Sequence, residues 1–185
     1  MRRLSGGACL LVLISIAAIA CNPTFNWRQF SSTDGFTILL PARPQTVVRD
    51  VMMPGATVQM QMTSTGIGAT LFAVGTARLP SSLSGDAATR QQVLDFLRDG
   101  LVRNVSGGRV KVSRAALAVP PNDARRVLAG ESIEAVGVGS NGRAVRLAAR
   151  LFIVDDRLFQ VTALGAEGEI TPDTLDTFFS SFQLI

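Results

Sequence analysis

The sequence predicts an α+β fold: a mainly antiparallel curved sheet flanked by two principal helices. Three observations predict it. Short apolar runs with two-residue alternation follow one another, each closed by proline or glycine. Two segments instead carry apolar residues at three- and four-residue spacing, one in mid-chain and one at the C-terminal end. Finally, Ser140-Asn141-Gly142 and Asp155-Asp156 are hairpin signals, because these residues tolerate the positive φ angles of tight turns that join antiparallel neighbours. The order is four strands, a helix, about four strands and a helix. A sandwich in which the helices cover a face of the sheet satisfies it.

Along the chain, residues 22–33 are polar apart from Phe25, Trp27 and Phe30, and they read as a short tether. A single domain then runs from 34 to 185. Its first strands are Phe36 to Leu40, Gln45 to Met53, Thr57 to Thr65 and Ala69 to Leu79, an antiparallel meander with one wet face. In Val58-Gln59-Met60-Gln61-Met62-Thr63 the alternation puts valine and methionine on one face and the glutamines on the other. Asp86 can cap the first helix, along which Val93, Leu94, Leu97, Leu101 and Val105 share a stripe, and Asn104 and Gly107-Gly108 end it. Strands resume over Arg109 to Val119, Ala124 to Val138, Arg143 to Val154 and Leu158 to Leu164. The last helix has Thr171 as its cap, Pro172 in its first turn, and Leu175, Phe178, Phe179 and Phe182 on one face as core.

Ahead of the domain, Arg2 and Arg3 precede an apolar run too short to span a bilayer comfortably, and Ala18-Ile19-Ala20-Cys21 closes it. This is the pattern of a bacterial lipoprotein signal, with Ala18 at the position where leucine is usual. Residues 1–20 are then a cleaved signal peptide, and Cys21 carries a diacylglyceryl group and an acylated new N-terminus. One acyl chain, at roughly 0.8 kcal/mol per buried CH₂, anchors marginally, whereas two or more hold firmly. An ordinary cleaved signal and an uncleaved anchor helix starting near Leu4 are the alternatives. The expected location is the bacterial cell envelope, facing the periplasm. Asn22 stands where aspartate would favour inner-membrane retention, which favours the outer membrane.

The composition excludes more chemistry than it suggests. The 185-residue chain, less its signal, is about one ordinary domain. Its net charge of +4 includes Arg2 and Arg3, which leave with the signal, and the remaining cations are scattered singly, so no nucleic-acid partner is expected. Cys21 is the only mature cysteine, so no intramolecular disulfide forms. Histidine is absent, which removes Ser-His-Asp and Cys-His catalysis and histidine-bearing zinc sites. Lys111, the only lysine, has no serine three residues before it, so the S-x-x-K pattern fails. Gly137-Val138-Gly139-Ser140-Asn141-Gly142 matches G-x-G-x-x-G, but a strand follows where a dinucleotide site requires a helix. Glu131 with Glu134, Asp155 with Asp156, and Glu167 with Glu169 are the paired carboxylates. They read respectively as residues on opposite faces of a strand, a turn, and a loop before a helix. No catalytic, cofactor or metal residues are assigned.

Two features fit a partner surface. Met60 and Met62, with Met52, Met53, Ile67, Leu71 and Phe72 nearby, make a soft apolar surface of the kind that adapts to a partner or acyl chain, though core filling explains them too. Arg146 and Arg150 share strand parity and could meet anionic lipid or glycan from one face.

The run Trp27 to Phe30, Ser31-Ser32-Thr33-Asp34-Gly35-Phe36-Thr37-Ile38-Leu39-Leu40-Pro41 and Pro44 resembles the opening of PsbP-like domains of the DcrB type. There an aromatic residue, a DGF turn and a strand ending in LP begin the sheet. The closing Leu175 to Leu184, with Phe178-Phe179-Ser180-Ser181-Phe182-Gln183-Leu184, resembles their final helix running into a short strand. The resemblance implies a PsbP-like α/β/α sandwich and a largely noncatalytic accessory, binding or assembly protein. The expected function is a membrane-anchored envelope lipoprotein acting as a noncatalytic binding or assembly module, its partners being the membrane through Cys21 and an envelope protein. The alternative is a carrier of lipid or another hydrophobic ligand in a cavity between sheet and helices.

Overall fold

The computed structural model describes residues 25–121 and 123–185; Cys21 and the signal reading lie outside them. Chain order gives β1 (Arg28–Ser32), β2 (Phe36–Leu40), β3 (Gln45–Met53), β4 (Ala56–Ile67), β5 (Thr70–Arg78), α1 (Ser81–Ser84) and α2 (Ala87–Val102). Then come β6 (Ser106–Arg114), β7 (Val127–Val138), β8 (Ala144–Val154), β9 (Arg157–Ala166), α3 (Pro172–Ser180) and β10 (Gln183–Leu184). The chain is α+β, and every strand pairing is antiparallel. A seven-stranded sheet has the order β3-β4-β5-β9-β8-β7-β6, and a three-stranded sheet has the order β1-β2-β10. Thus β3 to β5 form one meander and β6 to β9 a second. The helical crossover after β5 carries the chain to the far edge, and the second meander returns to pair β9 with β5.

The two principal helices lie on opposite faces of the large sheet, not on one. On one face α1 and α2 bury Leu83, Val93, Leu94 and Leu97 against Met60, Ile133, Leu151, Ile153 and Leu158. On the other, α3 and the small sheet bury Phe36, Ile38, Phe178 and Phe182 against Phe72, Phe152, Phe159 and Val161. The physical reason is visible in β5, β8 and β9, whose residues are apolar at both parities over most of their lengths; a sheet centre buried on both faces needs a cover on each. Phenylalanines dominate the second core: Phe182 stacks on Phe152 at 6.2 Å and meets Phe159 edge-on at 5.7 Å, and Phe72 meets Phe178 edge-on at 5.0 Å.

The expected tether is partly strand. Residues Arg28–Ser32 pair with β2 in register from Arg28↔Leu40 to Ser32↔Phe36, so the folded domain begins before Asp34. Its mostly exposed, polar sequence hid a strand held by backbone pairing and by Phe25, Trp27 and Phe30 packing on the aromatic core. The β1–β2 turn is fastened to the large sheet through Asp34. Its Oδ2 accepts from Gln61 Nε2 at 2.8 Å and from Thr76 Oγ1 at 2.6 Å, and Arg157 Nη1 donates to its carbonyl oxygen at 2.5 Å. The glutamine face of β4 is therefore not simply wet, and Thr63 and Thr65 on it are buried.

The other boundaries fall within a few residues of the sequence pattern. The strand expected from Arg109 instead starts at Ser106, with a register shift between Ser106 and Arg109, and it leaves the sheet at Arg114 ahead of Pro120-Pro121. The G-x-G-x-x-G match is the β7–β8 hairpin, where Gly142 takes φ +75° and its N–H donates to Gly139 O at 2.9 Å. Phe178 has no solvent exposure and ties α3 to Phe72, so Phe178→Ala is expected to cost about 3–5 kcal/mol of stability, measured by urea unfolding.

Candidate functional site

An open groove of about 620 Å³ lies between the N-terminal half of α2 and the outer strands β6 and β7. One wall is set by how α2 begins. Asp86 accepts from Thr89 N at 2.9 Å and from Thr89 Oγ1 at 2.6 Å, a side-chain cap that satisfies an otherwise free amide of the first turn. That turn presents Ala87, Arg90, Gln91 and, one turn on, Leu94. The facing wall is Val112 to Ala115 of β6 and beyond, with Val127 to Glu131 of β7.

Glu131 is the buried acid of this groove, 9% exposed, because it shares strand parity with the core residues Ile133 and Ala135. Both of its oxygens are engaged. Oε1 accepts from Gln91 Nε2 at 2.7 Å, and Oε2 from Arg98 Nη1 at 3.4 Å. Burial works against the Arg98 cation, but the hydrogen bond and charge of Asp95, with Glu131 and Asp99 adding to them, outweigh it and raise its pKa above the usual arginine value. Glu134, three residues on, points to the opposite face and lies 4.0 Å from Arg146. The two carboxylates therefore do not form an acid/base pair. Arg90 donates through Nη1 to Ser84 O at 2.7 Å, while its buried Nε has no partner among the described residues.

Beside the groove, β6 is the terminal strand of the sheet, and all nine of its residues are exposed. The register Val110↔Ala135, Val112↔Ile133 and Arg114↔Glu131 places these three residues on the groove face; Arg109, Lys111 and Ser113 take the other. Val110 and Val112 remain 46% and 44% exposed. Among the described ion pairs none involves Arg90, Arg109, Lys111 or Arg114.

The residues singled out in the sequence do not come together as one surface. Met60 is 4% exposed and Met62 half-buried, both beneath the helical layer of α1 and α2. They occupy space above Gly75: a Cβ there would lie 2.3 Å from Met60 Cε and 2.7 Å from Met62 Sδ. The soft surface is thus largely core, with Met52 and Leu71 its exposed members. Arg146 and Arg150 do share a face, on the side of α3, and line a cleft of about 150 Å³ with Ser132, Glu134 and Asp176. Arg146 Nη1 donates to Ile170 O at 3.3 Å, and the Arg150 guanidinium sits 4.6 Å from the centre of the Phe179 ring. Burial lowers the pKa of Arg150, and Asp176 opposes that shift. Both arginines fasten α3 to the sheet. The groove went unread in the sequence, although Glu131, at inward parity beside Ile133 and Ala135, was its signal.

Among the described residues no three histidine, cysteine, aspartate or glutamate side chains gather to hold a metal ion, and no helix is long and apolar enough to cross a membrane. Compared with known proteins, the chain matches no family model and no curated sequence.

The two hydrogen bonds from Thr89 hold the Asp86 carboxyl below the usual aspartate value. A group lowered by folding contributes stability that is complete above its unfolded pKa and is lost as pH falls through its folded one. The first turn of α2, and with it the groove wall, is expected to fray on acidification below the ordinary aspartate range. Amide exchange at Thr89 checks this, with Asp86→Asn giving a flat response over the same range.

Proposed function

We propose that this chain is a lipid-anchored protein of the bacterial envelope whose α+β domain binds a partner protein without catalysis. In this reading an extended segment of the partner adds to β6 and lays alternate side chains into the adjoining groove. The observation that carries it is the terminal strand β6, exposed along its whole length and flanked by an open groove of about 620 Å³. A free sheet edge presents unpaired N–H and C=O groups, and strand addition satisfies them while neighbouring pockets read every second side chain. Arg90, Arg109, Lys111 and Arg114 surround this edge, and Glu131 is already neutralised by Arg98, so charge complementarity selects an acidic segment with apolar residues matching Val110 and Val112.

The address rests on the signal pattern ending at Cys21, with Asn22 favouring the outer membrane. A PsbP-like assignment is supported by the layering, with α2 on one face of the sheet and α3 with the small sheet on the other. The absence of histidine and the engagement of both Glu131 oxygens support a noncatalytic role. A second reading, a carrier of a hydrophobic ligand, is favoured by Leu94, Val112, Val127, Leu128 and Ala129 in the groove lining.

A photo-crosslinker at Val112 of the full chain in cells, followed by mass spectrometry, separates the two. The expected product is a protein adduct that Lys111→Glu with Arg114→Glu reduces to background. A lipid adduct insensitive to that charge reversal establishes the carrier instead, and neither adduct removes the binding role of this edge. For the anchor, the chain is expected to incorporate labelled palmitate, and Cys21→Ala to lose both the label and the membrane fraction.

A further inference from the structure

The lipid anchor proposed at Cys21 acquires a direction from the place where the chain enters the domain, and the docking surface inferred below rests on that anchor. Phe25 is packed, not loose: its ring lies 5.5 Å from Trp27 and 5.5 Å from Phe72, and Phe72 in turn meets Phe178 at 5.0 Å. Phe72 is the third residue of β5, beside the β4–β5 turn, so the entry point belongs to one end of the sheet. Four peptide units separate Cys21 from Phe25, a reach of about 14 Å at full extension. An acylated Cys21 must therefore hold this end within that distance of the lipid headgroups.

The same end collects five connections. The β4–β5 turn, the end of α2 and the β7–β8 hairpin enclose a space of about 280 Å³ lined by Ala69, Arg103, Asn104, Ser140 and Asn141. The β9–α3 loop joins them: Glu167 N donates to Ala144 O at 3.3 Å, and Thr70 Oγ1 donates to Glu169 at 2.8 Å. Arg28 opens β1 opposite Leu40, and Arg43 lies in the β2–β3 connection that leads to Gln45, paired with Ser64 near the same end. Arg28, Arg43, Arg103 and Arg143 are exposed there and belong to none of the described ion pairs. Glu167, Glu169 and Asp173, the last in the first turn of α3, are acids of this end, and Glu169 already accepts from Thr70. The far end has exposed cations too, Arg114 and Arg126, but it sets more acids against them. Asp34, Asp155 and Asp156 occupy its turns, with Arg78 paired to Asp156 and Arg157 bonded to Asp34.

We infer that the end carrying Phe25, Arg28, Arg43, Arg103 and Arg143 docks onto the headgroups of anionic phospholipids beside the acyl anchor. Tether length brings these cations to the membrane surface, and each then gains from the negative potential there, within a screening length of it. The consequence for binding is geometric. Val127 and Arg114 of the groove lie toward the other end, in register with Val154 and Glu131, so docking points the groove away from the bilayer and stands β6 along the membrane normal.

The test uses the full chain expressed in bacteria, purified with its lipid and placed in vesicles of phosphatidylethanolamine and phosphatidylglycerol. A fluorophore is attached at Ser140→Cys or, separately, at Asp156→Cys; an acylated Cys21 does not react. A headgroup spin-labelled lipid is expected to quench the label at position 140 several-fold more than at 156. High salt, or Arg43→Glu with Arg103→Glu and Arg143→Glu, is expected to reduce that difference several-fold, to what the tether alone leaves, while palmitate stays on the protein. Equal quenching at both positions, or a difference that ignores salt and charge reversal, overturns the docking surface and leaves the anchor standing. Failure of the chain to incorporate palmitate overturns the anchor and the docking together.

Discussion

The pairing of β5 with β9 is the constraint on which the rest of the structure depends. Each belongs to a separate meander, and neither meander alone has both faces of a strand covered. Joined from Leu71↔Leu164 to Arg78↔Arg157, they make a sheet centre in which Phe72, Val74, Phe159, Val161 and Ala163 pack under α3 and the small sheet. On the reverse face the same two strands place Ala77 and Leu158 under α1 and α2. The loop closed by this pairing contains α1, α2 and the strands from β6 to β8. Its ordering entropy is offset only when both faces bury their apolar sides at once. The fold is accordingly rich in non-local pairings, the class that folds more slowly than helical domains of similar size.

This constraint also explains what was legible in the sequence. Local patterns survived: the alternation of β4, the stripe of α2 as far as Leu101 with its Asp86 cap, the Asn141-Gly142 hairpin, and Thr171 with Pro172 opening α3. Those are decided by neighbours along the chain. Val105 falls beyond α2, and Gly107-Gly108, expected to end it, lie in β6. Partnership of β5 with β9 is decided by distant residues, and the sequence contains no local mark of it. The same holds for β1, whose polar residues pair through the backbone with β2, and for the placement of the two helices on opposite faces. At the sites, parity was the reliable guide. It put Arg146 and Arg150 on one face and separated Glu131 from Glu134, but it could not say that α3 would cover the arginines. Nor could it say that a glycine at position 75 would draw Met60 and Met62 into the core.

An edge like β6 is ordinarily a hazard, since an open strand invites pairing with any other chain. Its cations bear on that hazard. Arg109, Lys111 and Arg114 repel another copy of the same edge, and the acidic strand proposed as partner would be admitted by those same charges. The opposite edge, β3, has a different character. Val47, Val48 and Met52 are exposed there, and Arg49 stands beside Asp50, so it lacks a single sign of charge. The groove runs along β6 and the adjoining half of β7, because α2 covers β7 and β8 and stops short of the outermost strand.

The described chain begins at Phe25 on one side of the large sheet, and the groove lies on the other. Phe25 and Trp27 join the aromatic core beneath α3, while Arg90, Gln91 and Leu94 belong to the layer of α2 on the reverse face. The large sheet is the layer between the two cores. A sheet buried on both faces does not slip one core past the other without breaking ladder hydrogen bonds, so a direction imposed at Phe25 by the proposed anchor would be carried to β6 without a hinge. Under the proposed anchor, a short tether combined with a stiff sheet would achieve what a long linker cannot: it would confine the proposed binding edge to one height and one orientation above the bilayer. For a chain without histidine whose one buried groove acid is already paired, that confinement is the property on which selection for a partner can act.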